Sequence, residues 1–168
     1  LALEDVLNTT QRPKVEHYTD HYFIISDMIY KEEHRRIALE QLSVFLGKSY
    51  VITIQEESKH DVFEQVRSRL RVGRGYARKM KSDYLAYALL DATVDQFYPI
   101  LETLGWIQHL LGDDASAIKV MADVARANLP VAAIRLHTAI VFASQGVNAV
   151  AQNELAIAVG LNPQLQKT

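Results

Sequence analysis

The stretch YVITIQEESKHDVFEQVRSRL, residues 50–70, contains the change of pattern that decides the fold class. Its first residues, Tyr50–Ile54, are dense in β-branched side chains and predict a strand. After Glu56 the apolar side chains recur with a period of about 3.6, which predicts a helix. These apolar residues are Val62, Phe63, Val66 and Leu70. A strand region that gives way to helices is typical of an α+β segment.

Two segments upstream predict the strands that pair with this one. Residues 15–30 are rich in β-branched and aromatic side chains, and residues 38–45 form a second apolar run after a charged turn at 31–36. We therefore expect antiparallel hairpins that pair 15–30 with 38–45, and 38–45 with 50–55. Before them, Leu3–Leu7 predicts a short helical turn.

Two helices are expected to cover this sheet. The first runs over residues 61–72, with Asp61 placed to cap its start. The second runs over residues 81–98, with Ser82 or Asp83 near its start. This part of the chain is thus predicted to be a small antiparallel sheet with covering helices.

The composition changes near residue 98, which predicts a domain boundary. Residues 1–97 hold 14 of the 18 Lys and Arg residues and 15 of the 20 Asp and Glu residues. Alanine runs the other way, with 6 residues before the change and 13 after it. We therefore divide the chain into an α+β domain, residues 1–98, and a helical tail, residues 99–168.

The tail repeats itself with a period of 34 residues. Gly112 recurs as Gly146, and Ala117 recurs as Ala151. Paired helices at this period resemble the tetratricopeptide repeat (TPR), in which small residues let one helix approach the next and proline ends the unit. The alternative is a generic Ala-rich helical hairpin.

The tail is expected to contain three antiparallel helices, which start near residues 99, 114 and 131. The first can run on directly from the 81–98 helix. We expect it to be bent or broken at Pro99, because proline removes a backbone donor.

The overall composition excludes several functional classes. The chain has 168 residues, 49% of them hydrophobic and 23% charged, which is typical of a globular protein. Its net charge of −2 does not favour a nucleic-acid or anionic-membrane partner. The absence of cysteine excludes disulfides and thiolate metal sites, and no apolar run is long enough to span a bilayer. The chain lacks an initiator Met, so we expect it to be a piece of something longer.

Several stretches of the first 100 residues match a known family in order. They are LALEDVLN at 1–8, QRPKVE at 11–16, QLSVFL at 41–46, VITIQE at 51–56, FEQVRSRL at 63–70 and DYLAYALLD at 83–91. With these motifs the segment resembles the cytoplasmic domain of the CorA family of magnesium and cobalt channels. The resemblance covers about 60% of the chain, and its separate motifs make it specific.

The resemblance implies a non-enzymatic, regulatory part of an ion channel, located at the cytoplasmic face of the membrane and assembled as a homo-oligomer. The family continues into a long stalk helix, two membrane helices and a Gly-Met-Asn pore signature, and this sequence contains none of these. The repeat segment stands where the stalk would begin, as in a natural fusion, an engineered chimera or a recombined gene fragment. The chain alone is not expected to conduct ions.

The resemblance also implies a metal site between neighbouring subunits. The family's carboxylates match Glu4, Asp5 and Asp91 by position. The expected ion is Mg²⁺ or Co²⁺, bound weakly because the partner acid on the stalk has no equivalent here. From the residues alone, Glu4 and Asp5 can be charges at a helix N-terminus, and Asp91 can lie on a solvated helix face. Asp95, one turn after Asp91, could share an ion or repel its neighbour.

The remaining polar groups predict no catalytic site. Basic residues are concentrated between Arg67 and Lys81 and include Arg69, Arg71, Arg74, Arg78 and Lys79. They form either an anion or nucleic-acid contact or, as we expect, a solvated face. His17 and His21 have a spacing that puts both on one face of a strand or helix, as a transition-metal pair or as surface histidines. Catalytic motifs are absent from the sequence, and Trp106 is predicted to pack between helices.

We therefore predict the regulatory cytoplasmic portion of a CorA-like channel, which binds divalent cations weakly and associates with copies of itself. The alternative is a TPR-type scaffold, whose tail binds a peptide or protein partner. Neither hypothesis includes a nucleic-acid partner. An enzyme that uses Asp91 and Asp95 is the third hypothesis.

Overall fold

The computed structural model describes most of the chain, namely residues 2–31, 37–57, 61–73, 76 and 78–167. The chain divides into two compact units, Leu1–Gln96 and Phe97–Thr168, called here the N-terminal unit and the tail. Each unit has buried apolar residues of its own. They include Leu42 in the N-terminal unit and Met121 in the tail.

The N-terminal unit is built on an antiparallel sheet, of which four strands lie within the described residues. They are β1 Lys14–His17, β2 His21–Lys31, β3 Ile37–Gly47 and β4 Val51–Ile54. Their spatial order is the order along the chain, and each neighbouring pair is antiparallel. In the register, Phe23 lies opposite Phe45, and Phe45 lies opposite Ile52. The predicted α+β class with a small antiparallel sheet is confirmed.

The predicted strand over residues 15–30 is wrong in one respect, because it is two strands. The backbone N–H of Tyr18 donates to the carbonyl of His21 across 2.8 Å, and the chain reverses between them. The tip of this hairpin is Thr19–Asp20, two polar residues of the kind that favour a turn. The charged turn predicted at residues 31–36 lies almost entirely outside the described residues.

This hairpin also changes the positions of two histidines. His17 stacks on its cross-strand partner Tyr22, with ring centroids 4.6 Å apart. His21 instead contacts Phe45, at 5.7 Å. Since successive residues of a strand point to opposite faces, these contacts place His17 and His21 on opposite faces of the sheet. The predicted same-face pair is therefore wrong.

Helices cover both faces of the sheet. On one face, the helices α2 Glu64–Val72 and α3 Ser82–Val94 pack against Met28, Leu42 and Val44. On the other face, α1 Ala2–Leu7 contacts the core residues Phe23 and Ile25. The alternating pattern of β2 explains this arrangement, because residues 23 and 25 point one way and residue 28 the other.

Two predicted helix boundaries are corrected by the structure. α2 begins at Glu64 rather than at 61, and Asp61 instead accepts a hydrogen bond from Phe63 N at 2.9 Å, before the helix starts. α3 ends at Val94, so the break in the predicted 81–98 helix comes before Pro99. Pro99 lies in the first turn of the next helix, where a backbone N–H has no intrahelical partner and proline is tolerated.

The tail has four α-helices within the described residues, one more than predicted. They are α4 Phe97–Leu110, α5 Asp114–Ala127, α6 Ala132–Ser144 and α7 Asn148–Leu161, followed by a 3₁₀ helix at Pro163–Lys167. α4 packs with α5, and α6 packs with α7, while α6 also contacts α4 and α5. The prediction did not count α7, although its Ala-rich sequence has high helix propensity.

The two helical hairpins of the tail share one turn geometry. Gly112 and Gly146 both have positive φ, 81° and 73°. In the first turn Gly112 N donates to His109 O and Asp113 N to Gln108 O; in the second, Gly146 N donates to Ala143 O and Val147 N to Phe142 O. These pairs are the two hydrogen bonds of a Schellman motif, and each recurs 34 positions later. The sequence period is therefore also a period of the backbone.

Candidate functional site

Asp5 is held in a polar cluster beside the sheet. Its Oδ1 accepts from Gln11 Nε2 at 2.5 Å, and its Oδ2 accepts from Lys14 Nζ at 2.7 Å. Lys14 also donates to Glu16 Oε1 at 2.8 Å. The hydrogen bond from Lys14 is the main cause that lowers the pKa of Asp5 below its usual value of 3.8, and the hydrogen bond from Gln11 is the second. Asp5 is therefore ionised at neutral pH, but its oxygens are already engaged.

The backbone around this cluster is also fixed. The carbonyl of Asp5 accepts from the buried Gln41 Nε2 at 3.1 Å, which joins α1 to β3. Glu4 precedes Asp5 on the same helix, and its side chain is exposed. This hydrogen bond anchors the α1 backbone, so both carboxylates belong to a helix held against one face of the sheet.

Asp91 lies at a different place, in an open acidic groove between α2 and α3. The groove has a volume of about 600 Å³ and is lined by Glu64, Gln65, Ser68, Arg69, Asp91 and Asp95. Burial raises the pKa of Asp95 above its usual value of 3.8, and the nearby charge of Asp91 is a second, smaller cause. The charge of Arg69 opposes this shift. The two carboxylates at i and i+4 therefore repel each other, as expected for like charges on one helix face.

The structure does not bring the three predicted ligands together within one chain. α1 covers one face of the sheet and α3 the other, so Glu4 and Asp5 are separated from Asp91. Across the described residues, no cluster of three or more His, Asp or Glu side chains could hold a metal ion. A cation that used all three carboxylates would have to lie between copies of the chain.

The basic run between Arg67 and Lys81 is partly neutralised by two acids that precede it in the sequence. Arg67 pairs with Asp61 and with Glu64, and Arg71 Nη1 donates to Glu64 Oε1 at 2.6 Å. Arg74, which belongs to the same run, lies outside the described residues. These pairs agree with the solvated-face interpretation of the run.

The tail contains a polar cluster that no sequence pattern predicted. Trp106 stacks on His137 with ring centroids 4.1 Å apart, and His137 Nδ1 hydrogen bonds with Glu102 Oε1. Trp106 also contacts His109, whose Nδ1 lies 2.5 Å from Asp114 Oδ1. These residues are up to 35 positions apart, so no local spacing indicates the cluster. Packing of Trp106 between helices was predicted, and the structure agrees.

Comparisons with known proteins relate the chain to metal-ion transporters. The model of the CorA-like Mg²⁺ transporter family matches residues 1–154, which include most of the tail. Among curated relatives, the cobalt/magnesium transport protein CorA of Thermotoga maritima is 44% identical over 105 residues, which are 62% of this chain and 30% of that protein. The protein YfjQ of Bacillus subtilis is 28% identical over 101 residues, 60% of this chain and 30% of that protein.

A solved structure shares the fold. The soluble domain of CorA from Methanocaldococcus jannaschii aligns with a TM-score of 0.51 and 16% identity, over 95% of this chain and 72% of that one. The chain spans about 30% of the length of the first two relatives. Within the described residues, every helix is too short or too polar to cross a bilayer. Since the family model covers nearly all of the sequence, the chain belongs to the CorA-like Mg²⁺ transporter family.

Proposed function

We propose that the N-terminal unit is a regulatory cytoplasmic portion of a CorA-like magnesium/cobalt channel and is not competent for transport by itself. The observation that carries this proposal is the 44% identity over 105 residues with a cobalt/magnesium transport protein. The aligned region, 105 residues, is longer than the whole N-terminal unit, which presents these acidic groups. The function proposed for it is regulation by divalent cations at the cytoplasmic face of the membrane.

The proposed ligands are Glu4, Asp5 and Asp91, and the proposed ion is Mg²⁺ or Co²⁺. Carboxylate oxygens suit these hard cations, which keep several waters when bound. Because α1 and α3 lie on opposite faces of the sheet, each copy of the chain supplies an incomplete site. Two copies that meet across these faces would complete it, so cation binding and homo-oligomer formation are one equilibrium in this proposal.

Weak binding follows from the state of Asp5. A cation must compete with Lys14 and Gln11 for the two oxygens of this carboxylate. The dissociation constant is therefore expected to be on the order of 10⁻⁴–10⁻³ M, as for low-charge oxygen sites. At about 10 mM Mg²⁺ such a site adds about 1–3 kcal/mol to the free energy of unfolding.

Thermal unfolding and sedimentation velocity, each with and without Mg²⁺ or Co²⁺ at matched ionic strength, test the proposal. The parent is expected to gain stability and to associate with the cation. The double variant Asp5→Asn with Asp91→Asn is expected to do neither. The control is Asp83→Asn, which removes one negative charge from an exposed position on α3 and leaves all three proposed ligands in place. Equal responses in all three proteins would indicate charge screening and reject the site.

A second candidate, a TPR-type interaction scaffold, is favoured by one observation. The 34-residue period is present in the sequence and in the turn hydrogen bonds at Gly112 and Gly146. Repeated helical hairpins bury a continuous core between neighbours and leave extended surfaces for partners. In this proposal the tail binds a protein or peptide, and the N-terminal unit positions it.

A further inference from the structure

A row of oxygen-bearing side chains crosses the sheet on the face that α1 covers. Asp27 of β2 lies directly opposite Gln41 of β3 in the register. Gln41 points to the α1 face, because its Nε2 donates to the carbonyl of Asp5 at 3.1 Å. Directly opposed residues of antiparallel strands share a face, and their Cβ atoms lie about 4.5–5.5 Å apart. Asp27 and Gln41 are therefore neighbours on this face.

A third oxygen-bearing side chain, Glu56, reaches this row from just beyond the end of β4. Its Oε1 accepts from the backbone N–H of Gln41 at 3.0 Å, although β4 itself ends at Ile54. Glu56 is exposed, so its carboxylate lies beside β3 and remains open to solvent. We call Asp27, Gln41 and Glu56 the oxygen row.

The amide of Gln41 is satisfied on one side only. Its Nε2 donates to the carbonyl of Asp5 and to Ser43 Oγ, at 3.1 and 3.3 Å, and these two acceptors set the orientation of the amide. Its Oε1 is buried and accepts no hydrogen bond from the residues that the structure describes. Gln41 is only 5% exposed, and a buried acceptor without a donor destabilises a fold. Such an oxygen indicates an ion or a water that the chain itself does not supply.

Within the described residues, Asp27 too has no hydrogen-bond or ion-pair partner, and it is half-buried. Lys14 lies on the same face of the sheet, but Asp5 and Glu16 already engage its ammonium group. A carboxylate and an amide oxygen thus lie side by side, and neither is paired. The chain itself closes Gln41 Oε1 to solvent, so its unpaired state does not come from an uncovered surface.

We propose that Asp27, Gln41 Oε1 and Glu56 bind one hard divalent cation within a single copy of the chain. Carboxylate and amide oxygens are ligands of Mg²⁺ and Ca²⁺, and one or two carboxylates suffice for Mg²⁺ because it keeps several waters. Since the third ligand is an amide, the site agrees with the lack of three-residue clusters of His, Asp or Glu in the described part of the chain.

This site differs from the one proposed between copies of the chain. None of its ligands is a side chain of Glu4, Asp5 or Asp91, and it needs no second copy. The ion approaches from the half-buried side of Asp27 and meets the oxygen of Gln41. Because the same amide holds the carbonyl of Asp5, an occupied oxygen row also strengthens the attachment of α1 to β3.

Electron paramagnetic resonance with Mn²⁺ tests the site, because the signal of the free ion gives the number of ions bound. Mn²⁺ takes the same oxygen ligands as Mg²⁺ and Ca²⁺. The protein is the full chain with Asp5→Asn and Asp91→Asn, which removes the site between copies. We expect one bound ion per chain without a change in sedimentation. Displacement by Mg²⁺ or by Ca²⁺ then identifies the ion that the site prefers.

Matched variants in the same background locate the binding. Asp27→Asn removes a charged ligand and should weaken Mn²⁺ binding by about tenfold or more, and Glu56→Gln should also weaken it. The control is Asp20→Asn, which removes one charge from the exposed tip of the β1–β2 hairpin and should change binding by less than about twofold. Circular dichroism checks that each variant is folded.

A lysine at position 27 tests the site without relying on a loss. Asp27→Lys brings an ammonium group to Gln41 Oε1 in place of the ion. We expect this variant to melt at a higher temperature than its background in the absence of metal, because the buried acceptor gains a donor. It should bind no Mn²⁺.

Three outcomes would overturn the proposal. The first is no Mn²⁺ binding in the Asp5→Asn, Asp91→Asn background, which would assign a buried water to Gln41 Oε1. The second is equal binding by the Asp27→Asn and Asp20→Asn variants, and the third is unchanged binding by Asp27→Lys. The site between copies is already removed in this background, so the two proposals can fail separately.

Discussion

Arg135 of α6 donates from Nη1 to Glu154 Oε2 of α7 across 2.7 Å, and both side chains are almost completely buried. The same guanidinium donates from Nε to the carbonyl of Leu129 and from Nη2 to Asn128 Oδ1. Asn128 is the left-handed C-cap of α5, with φ of 53°. One side chain thus joins the end of α5 to the interior of α7.

Removal of the Arg135 guanidinium should strongly destabilise the tail. Arg135→Met leaves Glu154 buried without its partner, so we expect a loss of about 3–5 kcal/mol in the free energy of unfolding. Urea unfolding followed by the fluorescence of Trp106, the single tryptophan of the sequence, measures this unit specifically.

The control for this prediction is Arg126→Met. Arg126 also pairs with an acid, Asp123, but both side chains are more than half exposed, so the loss should be below about 1 kcal/mol. The double variant Arg135→Met with Glu154→Leu should recover part of the stability, because it removes both buried charges. Equal losses in the two single variants would contradict the prediction.

Two glycines inside tail helices should respond in opposite directions. Gly160 in α7 has nothing within 4 Å of an added Cβ, so Gly160→Ala should stabilise the tail by about 0.5–1 kcal/mol through helix propensity. At Gly105 an added Cβ lies 3.1 Å from Met121 Cγ, and Gly105→Val should cost about 1–3 kcal/mol. The same Trp106 assay applies, and a gain in Gly105→Val would show that α4 and α5 are loosely packed.

Asp95→Asn should stabilise the N-terminal unit at neutral pH. Because the pKa of Asp95 is raised in the folded state, protonation of this carboxyl stabilises the fold. This stabilisation is lost as the pH rises through the raised pKa. Asparagine removes the repulsion from Asp91, worth about 0.2–0.5 kcal/mol. The gain should appear at pH 7 and vanish below about pH 3.8, the usual value. Thermal unfolding across this range checks it, and Asp83→Asn, near the α3 N-terminus, should show no gain.

Lys14→Met should increase the response of the chain to Mg²⁺. Lys14 holds Asp5 and Glu16 at 2.7 and 2.8 Å, and its removal frees their oxygens for a cation. The lowered pKa of Asp5 stabilises the fold above its usual value of 3.8, and this contribution is lost as the pH falls through the folded-state pKa. Without Mg²⁺ the variant should show less of this acid dependence, because only Gln11 still donates to Asp5.

The measurement is the shift of the melting temperature at about 10 mM Mg²⁺ and matched ionic strength, where a site with a dissociation constant near 10⁻³ M is mostly filled. Lys48→Met is the control, since Lys48 is exposed in the β3–β4 turn. If both variants respond like the parent, Asp5 does not contribute to cation binding.

Much of the fold could be predicted from local pattern. The β-branched run at Tyr50–Ile54 and the helical period after Glu56 are strong signals, and both elements are present. Besides the tail helix α7, which the prediction did not count, the main errors concern turns and breaks. The turn at Thr19–Asp20 contains neither glycine nor proline, so residues 15–30 were predicted as one strand. The break at Asp95–Gln96 was assigned to Pro99, because proline is the stronger signal in sequence although a first helical turn tolerates it.

The candidate site was harder to predict, because it depends on which face each element covers. Glu4, Asp5 and Asp91 were predicted from resemblance, and their role remains a prediction. The ion pair of Asp5 with Lys14 spans 9 residues, and no pattern in the sequence indicates it. The separation of α1 from α3 across the sheet likewise follows from packing rather than from spacing.

The sequence by itself determined the α+β class, the family and the 34-residue period, because these depend on the order of side chains along the chain. The tertiary structure alone decided which equivalent positions are covered. Met121 and Leu155 have the same place in the repeat, yet one is completely buried and the other is 43% exposed. The difference is the helix α6, which covers this face of the first hairpin and is itself part of the second. Burial is a property of neighbours in space, and a repeat in sequence does not specify its own neighbours.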